Sequence, residues 1–172
     1  MSDQASAAQL KRMHDASVSV IDDALGFIAR ELGEESVARF WRECFRPRVS
    51  DRAALGLSPR QHVERFAQDH AGHGSACEII EEPDRFVLKL DPCGSGGALR
   101  RTKQNVNVTR KPHDWSWGKA GVPNYCTHCR IAWELIAAEV GGQAVRIHQW
   151  PDNPNHPCLN IVPKEPWPKP VR

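Results

Sequence analysis

Four cysteines carry most of the chemistry open to this chain. Cys126 and Cys129 form a Cys-x-x-Cys pair in Asn-Tyr-Cys-Thr-His-Cys, with His128 inside it. Cys93 sits in Asp-Pro-Cys-Gly-Ser-Gly-Gly, and Cys158 in Asn-His-Pro-Cys-Leu-Asn. Two thiolates at the Cys-x-x-Cys spacing can grip one ion from a single turn of backbone. Three or four thiolates drawn together repel one another unless a cation sits among them. Convergence of Cys93, Cys126, Cys129 and Cys158 therefore predicts a metal site. Zinc is the expected ion, with His128, His148 or His156 able to replace a cysteine. A four-cysteine iron–sulfur cluster is the alternative, although these ligands lie further apart than in compact ferredoxin runs. Without a metal, Cys-x-x-Cys is a redox couple, or Cys93 beside a histidine is a thiolate nucleophile. A thioredoxin-like couple needs a strand just before the motif, and Pro123-Asn124 reads there as loop.

The elements that must position these sulfurs can be read from periodicity. Apolar residues Val18, Ile21, Leu25, Ile28 and Leu32 mark a helix over Ser6–Leu32, stopped by Gly33. A shorter helix, Glu35–Phe45, carries Val37, Phe40, Trp41 and Cys44 on one stripe and ends at Pro47. Cys44 on that stripe reads as core. Ser58-Pro59 opens a third helix that runs to Ala71 and stops at Gly72. His70 and His73 lie at its end. They read either as solvent-exposed polar residues favoured by the helix dipole or as proton carriers lining a site.

The period then changes. Ala76–Glu82 and Arg85–Asp91 alternate as strands around Pro83-Asp84, with Phe86, Leu88 and Leu90 on one face. Cys77 falls inside the first strand and reads as packing. Gly94–Tyr125 is irregular, with a short strand as an option at Asn105–Val108. Its Gly-Ser-Gly-Gly run is not followed by Gly-Lys-Ser/Thr and so is no phosphate loop. Its glycines would let amide N–H groups approach a sulfur closely. Thr127–Val140 is a helix with Ile131, Leu135 and Ala138 on its buried stripe, stopped by Gly141-Gly142. Gln143–Trp150 alternates, Val145 and Ile147 one way, Arg146 and His148 the other. Pro151–Pro157 is a turn cluster, Cys158–Pro163 a last strand, and Lys164–Arg172 an extended Pro-rich tail. This order gives one α+β domain over residues 1–163, its helical N-terminal half packed on an antiparallel sheet of about four strands. The cysteine site falls at element ends.

The totals narrow the function. The chain has 172 residues, 40% hydrophobic and 26% charged, enough for one domain with a core. Its net charge of +2 argues against nucleic acid or an anionic membrane as partner. No run is long enough to span a bilayer, and the polar N-terminus lacks a secretory core. A cytoplasmic protein is expected, in which six cysteines are ligands or reactive thiols rather than disulfides.

The order of a helical half, then EEPDRFVLKLDPCGSGG, then YCTHC leading into a helix, then VRIHQWPDNPNHPCLNIVPK resembles a known family. It is the family around L-2-amino-thiazoline-4-carboxylate hydrolase, with the related small cysteine-containing domains near the vinyl-reductase group. The likeness covers residues 35–163, and its specific part is the spacing of Cys93, Cys126, Cys129 and Cys158. It implies an α+β fold with a ligand cavity and either ring-opening hydrolysis or small-molecule sensing. The Gly94–Tyr125 segment and the Pro-rich tail depart from that family, so the cysteine positions carry over and a substrate does not.

Two functions are expected. The first is a metal- or thiol-dependent hydrolase acting on a C–N or C–S bond of a small anionic molecule. There the four cysteines hold the ion and His148 or His70 moves the proton. Arg100 and Arg101 grip a carboxylate, and Trp115 and Trp117 close the pocket. A solvated loop is the plainer role for those arginines. The second is a zinc-stapled or iron–sulfur sensor or accessory subunit without activity of its own. A small-molecule ligand is expected in both, and a homo-oligomer is compatible with either.

Overall fold

The computed structural model describes residues 2–165. Three helices come first: α1 (Ser2–Glu31), α2 (Glu35–Ala54) and α3 (Pro59–Gly72). Strands β1 (Cys77–Glu81) and β2 (Arg85–Leu90) follow, then a short helix α4 (Gly96–Thr102). Helix α5 (His128–Arg130) passes through a π-helical stretch, Ile131–Ile136, into α6 (Ala137–Gly141). Strands β3 (Ile147–Gln149) and β4 (Cys158–Pro163) complete a sheet of order β1-β2-β4-β3, antiparallel throughout. The fold is α+β with a helical N-terminal half. Of the tail expected at 164–172, Lys164 is tied to the Asp84 carbonyl at 2.9 Å; residues 166–172 lie outside the described residues.

Local chemistry explains most boundaries. Ser58 caps α3 by accepting from Gln61 N–H, while the Gln61 side chain accepts from Ser58 N–H. Gly33 (φ +85°) turns the chain between α1 and α2 in a conformation that side-chain-bearing residues rarely adopt. Pro47 does not end α2, which runs on to Ala54. The continuation places Val49 in a core with Leu25, Val37, Trp41 and Ile136, and tertiary burial outweighs the lost backbone bond. The buried face of α2 is Val37, Ala38, Trp41 and Val49, so Cys44 is exposed rather than core. Leu32, beyond the end of α1, is also exposed.

The π-helical stretch corrects the expected stripe on the mid-chain helix. One extra residue per turn makes burial repeat at five: Ile131 with Ile136, and Ala132 with Ala137. Ala138 is therefore exposed. Trp133, inside that stretch, packs against both apolar cores, the helical one and the one between α3 and the sheet. Among the described residues no helix is long and apolar enough to cross a membrane.

Candidate functional site

Cys93, Cys126, Cys129 and Cys158 line one small chamber of about 70 Å³. Cys158 opens β4 opposite Leu90, three residues before Cys93, so the sheet register itself brings these two sulfurs together. Cys126 arrives on the loop entering α5, and Cys129 within α5 itself. That loop is fixed from the helical side: the Asn124 carbonyl accepts from Trp41 Nε1 at 3.0 Å and from the Thr127 hydroxyl at 2.7 Å.

The glycines after Cys93 serve close approach. Gly94 lies against the backbone of His73–Ser75, with its N–H donating to Ser75 Oγ at 2.8 Å, and has no room for a Cβ. A Cβ on Gly96 would run into the Cys126 sulfur. The run thus lets the Cys93 loop nest between α3 and the Cys-x-x-Cys turn. The segment read as irregular also contains α4, which periodicity missed because its burial rests on Gly96, Gly97 and Leu99 rather than on an apolar stripe.

The sulfurs are not equivalent. All six cysteines are free thiols. Cys158 and the backbone N–H groups of Ser95 and Gly97 act on the Cys93 sulfur, and Gly97 packs closely against Cys93. The Cys158 bond first, and then the two amides, outweigh burial and hold Cys93 well below the ordinary thiol value. Cys158, as donor to that sulfur, is pushed up, first by this bond and then by burial. Burial likewise pushes Cys126 up. The two opposite shifts favour Cys93 over Cys158 as the sulfur that gives up its proton.

Histidines form the other wall. His148 is buried, and Asn160 Oδ1 sits 2.8 Å from its Nδ1; the tautomer that donates there has Nε2 as its acceptor. His128 points Nδ1 at the Tyr125 carbonyl and Nε2 at the Cys129 sulfur, 3.6 Å away; burial pulls it down to about 4. His70 and His73 line the chamber too, so the solvent-exposed reading of this pair does not hold. His70 Nε2 is engaged by Arg146 Nη1 at 3.3 Å.

The arginine and tryptophan expectations divide. Arg100 and Arg101 line the chamber, but both grip main-chain carbonyls. Arg100 donates to Pro151 and Asp152, and Arg101 to Pro154 and Cys93. They staple the Pro-rich turn onto α4, and Arg100 lies 4.4 Å over the Trp150 ring. Trp115 does not close the pocket. It is buried in the helical core with its Nε1 on Glu35, because His113 beside it is held by Glu34 and Glu35. Trp117 stands near His148 and stacks on Trp150, so it backs the chamber wall rather than capping it. The segment is fastened further by Lys103 and Asn107 on buried Asp22. Asn105–Val108 forms no strand, only a single bridge from Val108 to Pro123.

Periodicity under-read Arg146, which is 1% exposed. Its shared phase with His148 was the available signal. Among the described residues no three His, Cys, Asp or Glu side chains gather tightly enough to hold a metal ion. No family model, no curated protein and no solved structure matches the chain.

Proposed function

We propose that the chamber is the reaction centre of a thiol-dependent hydrolase for a small molecule, with Cys93 as nucleophile. What supports it is the place of Cys93 on a cavity walled by imidazoles, with Cys158 and two backbone amides lowering its thiol below the ordinary range. The thiolate adds its electron pair to an electrophilic carbon of the ligand, forming a C–S bond. The C–N or C–S bond to the leaving group then breaks, and the leaving atom takes the proton of the Cys158 thiol. His148 Nε2 removes a proton from water as that water attacks the Cys93-bound carbon. The Cys93 thiolate departs, and the proton on His148 returns to Cys158. At about 70 Å³ the chamber admits the reacting group and a water, not a whole ligand.

Iodoacetamide labelling at pH 6, read residue by residue by mass spectrometry, tests this. Cys93 should be modified first, with Cys126 and Cys158 protected. Turnover of small thioesters or cyclic thioimidates should vanish in Cys93→Ala. A Cys93 that stays unlabelled while the other chamber cysteines react overturns the assignment.

A second reading draws on the same four sulfurs around one space. Closed further upon one another, they would hold zinc or an iron–sulfur cluster in a sensor or accessory subunit. As placed they do not form a coordination shell, and no step above runs through a metal. Elemental analysis with a visible spectrum separates the two. Stoichiometric zinc or iron that is lost in Cys129→Ser supports the second reading. Metal-free protein with a reactive Cys93 supports the first.

A further inference from the structure

A second cavity, of about 930 Å³, opens beside the thiol chamber and shares His70, His73, Tyr125 and His128 with it. That volume suits a drug-sized molecule. Its walls are aromatic, from Phe40, Trp41 and Phe45 on α2 to Phe66 and Trp133 at the back. Its charge is lopsided: Arg48, Arg52, Arg65 and Arg146 against Asp51 and Asp69. Asp69 is committed to Arg52 at 2.8 Å.

Arg146 is the anomaly. It is 1% exposed, yet among the described residues it has no carboxylate partner. The nearby buried acid, Glu134, is paired with Arg130 at 2.6 Å. The Arg146 guanidinium lies 4.0 Å from the Phe66 ring centroid and 5.5 Å from that of Trp133. Arg52 sits over the same two rings, at 4.8 and 5.1 Å, so two cations share one aromatic pair. Arg146 Nε has no hydrogen-bond partner. His70 accepts from Arg146 through Nε2, so its proton is on Nδ1, and that atom too is buried without a partner. Arg146 therefore brings an orphan donor and a cation without a carboxylate partner to the cavity wall. Buried charge is normally paired, and buried donors are normally satisfied. Burial brings Arg146 down to about 10, which keeps it cationic at neutral pH.

We propose that this cavity binds a hydrophobic anion, a flat aromatic body bearing one carboxylate, with the carboxylate seated on Arg146 and the rings among the aromatic walls. A carboxylate accepts in the plane of a guanidinium and would take the orphan Arg146 Nε–H. Phe66 and Trp133 offer π faces, and a flat ring uses them as the two arginines already do. The inference concerns binding alone and does not depend on Cys93 acting as a nucleophile.

Calorimetric titration of the whole protein with 2-naphthoate, and separately with the neutral 2-naphthamide, tests it. Saturable binding of naphthoate at one site is expected, with naphthamide about tenfold or more weaker, because it brings no charge to Arg146. Arg146→Gln should lose naphthoate affinity to a similar extent, and Cys93→Ser should retain it. Equal binding of amide and acid, or no saturable binding of either, overturns the proposal. Loss of naphthoate binding in Cys93→Ser also overturns it, by moving the anion into the thiol chamber. The acid–amide comparison uses unaltered protein, so it decides even where Arg146→Gln fails to fold.

Discussion

Replacing Arg146 by Met separates an uncompensated buried cation from a compensated one. Burying a guanidinium costs several kcal/mol even after relaxation. Here the offsets are visible. The ring of Phe66 at 4.0 Å and the ring of Trp133 at 5.5 Å together return about 2–3 kcal/mol in a desolvated setting. The hydrogen bond to His70 returns about 1.5 kcal/mol. The unmet Nε–H costs about 1–3 kcal/mol. These contributions nearly cancel, and Met fills much of the same volume. Arg146→Met should therefore change unfolding free energy by less than about 2 kcal/mol in either direction. For a chain of this size that is a melting shift under about 6 °C. An arginine already paired with a buried anion behaves otherwise: removing it costs about 3–5 kcal/mol and lowers the melting point by about 10 °C or more. Thermal and chemical denaturation measure the difference directly. The ligand supplies the second half of the test. At a hundred times its wild-type dissociation constant, naphthoate should stabilise the wild-type protein by about 2.7 kcal/mol and Arg146→Met by no more than about 1.4 kcal/mol. A loss above about 3 kcal/mol without ligand refutes the reasoning. It would mean that Arg146 already has a partner that neutralises it.

Cys158→Ala removes the first of the donors that hold the Cys93 thiolate, so the iodoacetamide rate at mildly acidic pH should fall about tenfold; an unchanged rate would show that the two amides suffice. His62 is 3% exposed and is pulled down to about 3, by burial first and then by Arg52 and Arg146. A depressed histidine contributes stability that is complete above pH 6.5 and is lost as pH falls towards 3, up to about 5 kcal/mol at the limit. Urea titrations across that window should show the slope, and His62→Gln should flatten it. Gly96→Ala forces a methyl into the Cys126 sulfur and should destabilise the fold by about 1–3 kcal/mol, with Cys126 newly open to thiol reagents; wild-type stability and labelling would mean the Cys93 loop can shift away.

The layout of the chain was legible wherever one residue type answered one local need. Ser58-Pro59, Gly33 and the Pro83-Asp84 turn each fix a boundary through backbone conformation alone, and each boundary stands. The alternation of Phe86, Leu88 and Leu90 in β2 was equally local, whereas the register that sets Cys158 opposite Leu90 pairs distant strands and was not legible. What failed depended on distant partners. Pro47 is tolerated in α2 because Val49, two residues on, gains the helical core. Ala138 turned outward because a π turn shifted the phase of burial by one residue, which a period of 3.6 cannot express. Trp115 went to the core because Glu34 and Glu35 hold the loop through His113, a contact across some eighty positions of sequence.

The site divides along the same line. Four cysteines at element ends were enough to anticipate a shared chamber, since cysteine has few other uses there. Their inequality was not readable, because it arises from two backbone amides and a neighbouring thiol placed by α4 and β4. Arg146 shows the converse. The alternation that placed His148 at the site puts Arg146 two residues away on the same inward face, and only the habit of assigning charge to solvent hides it. An inward arginine without an acid calls for a ligand as strongly as four converging sulfurs call for chemistry. Since the two cavities meet at His70 and His128, an anion seated on Arg146 would lie beside the thiol chamber.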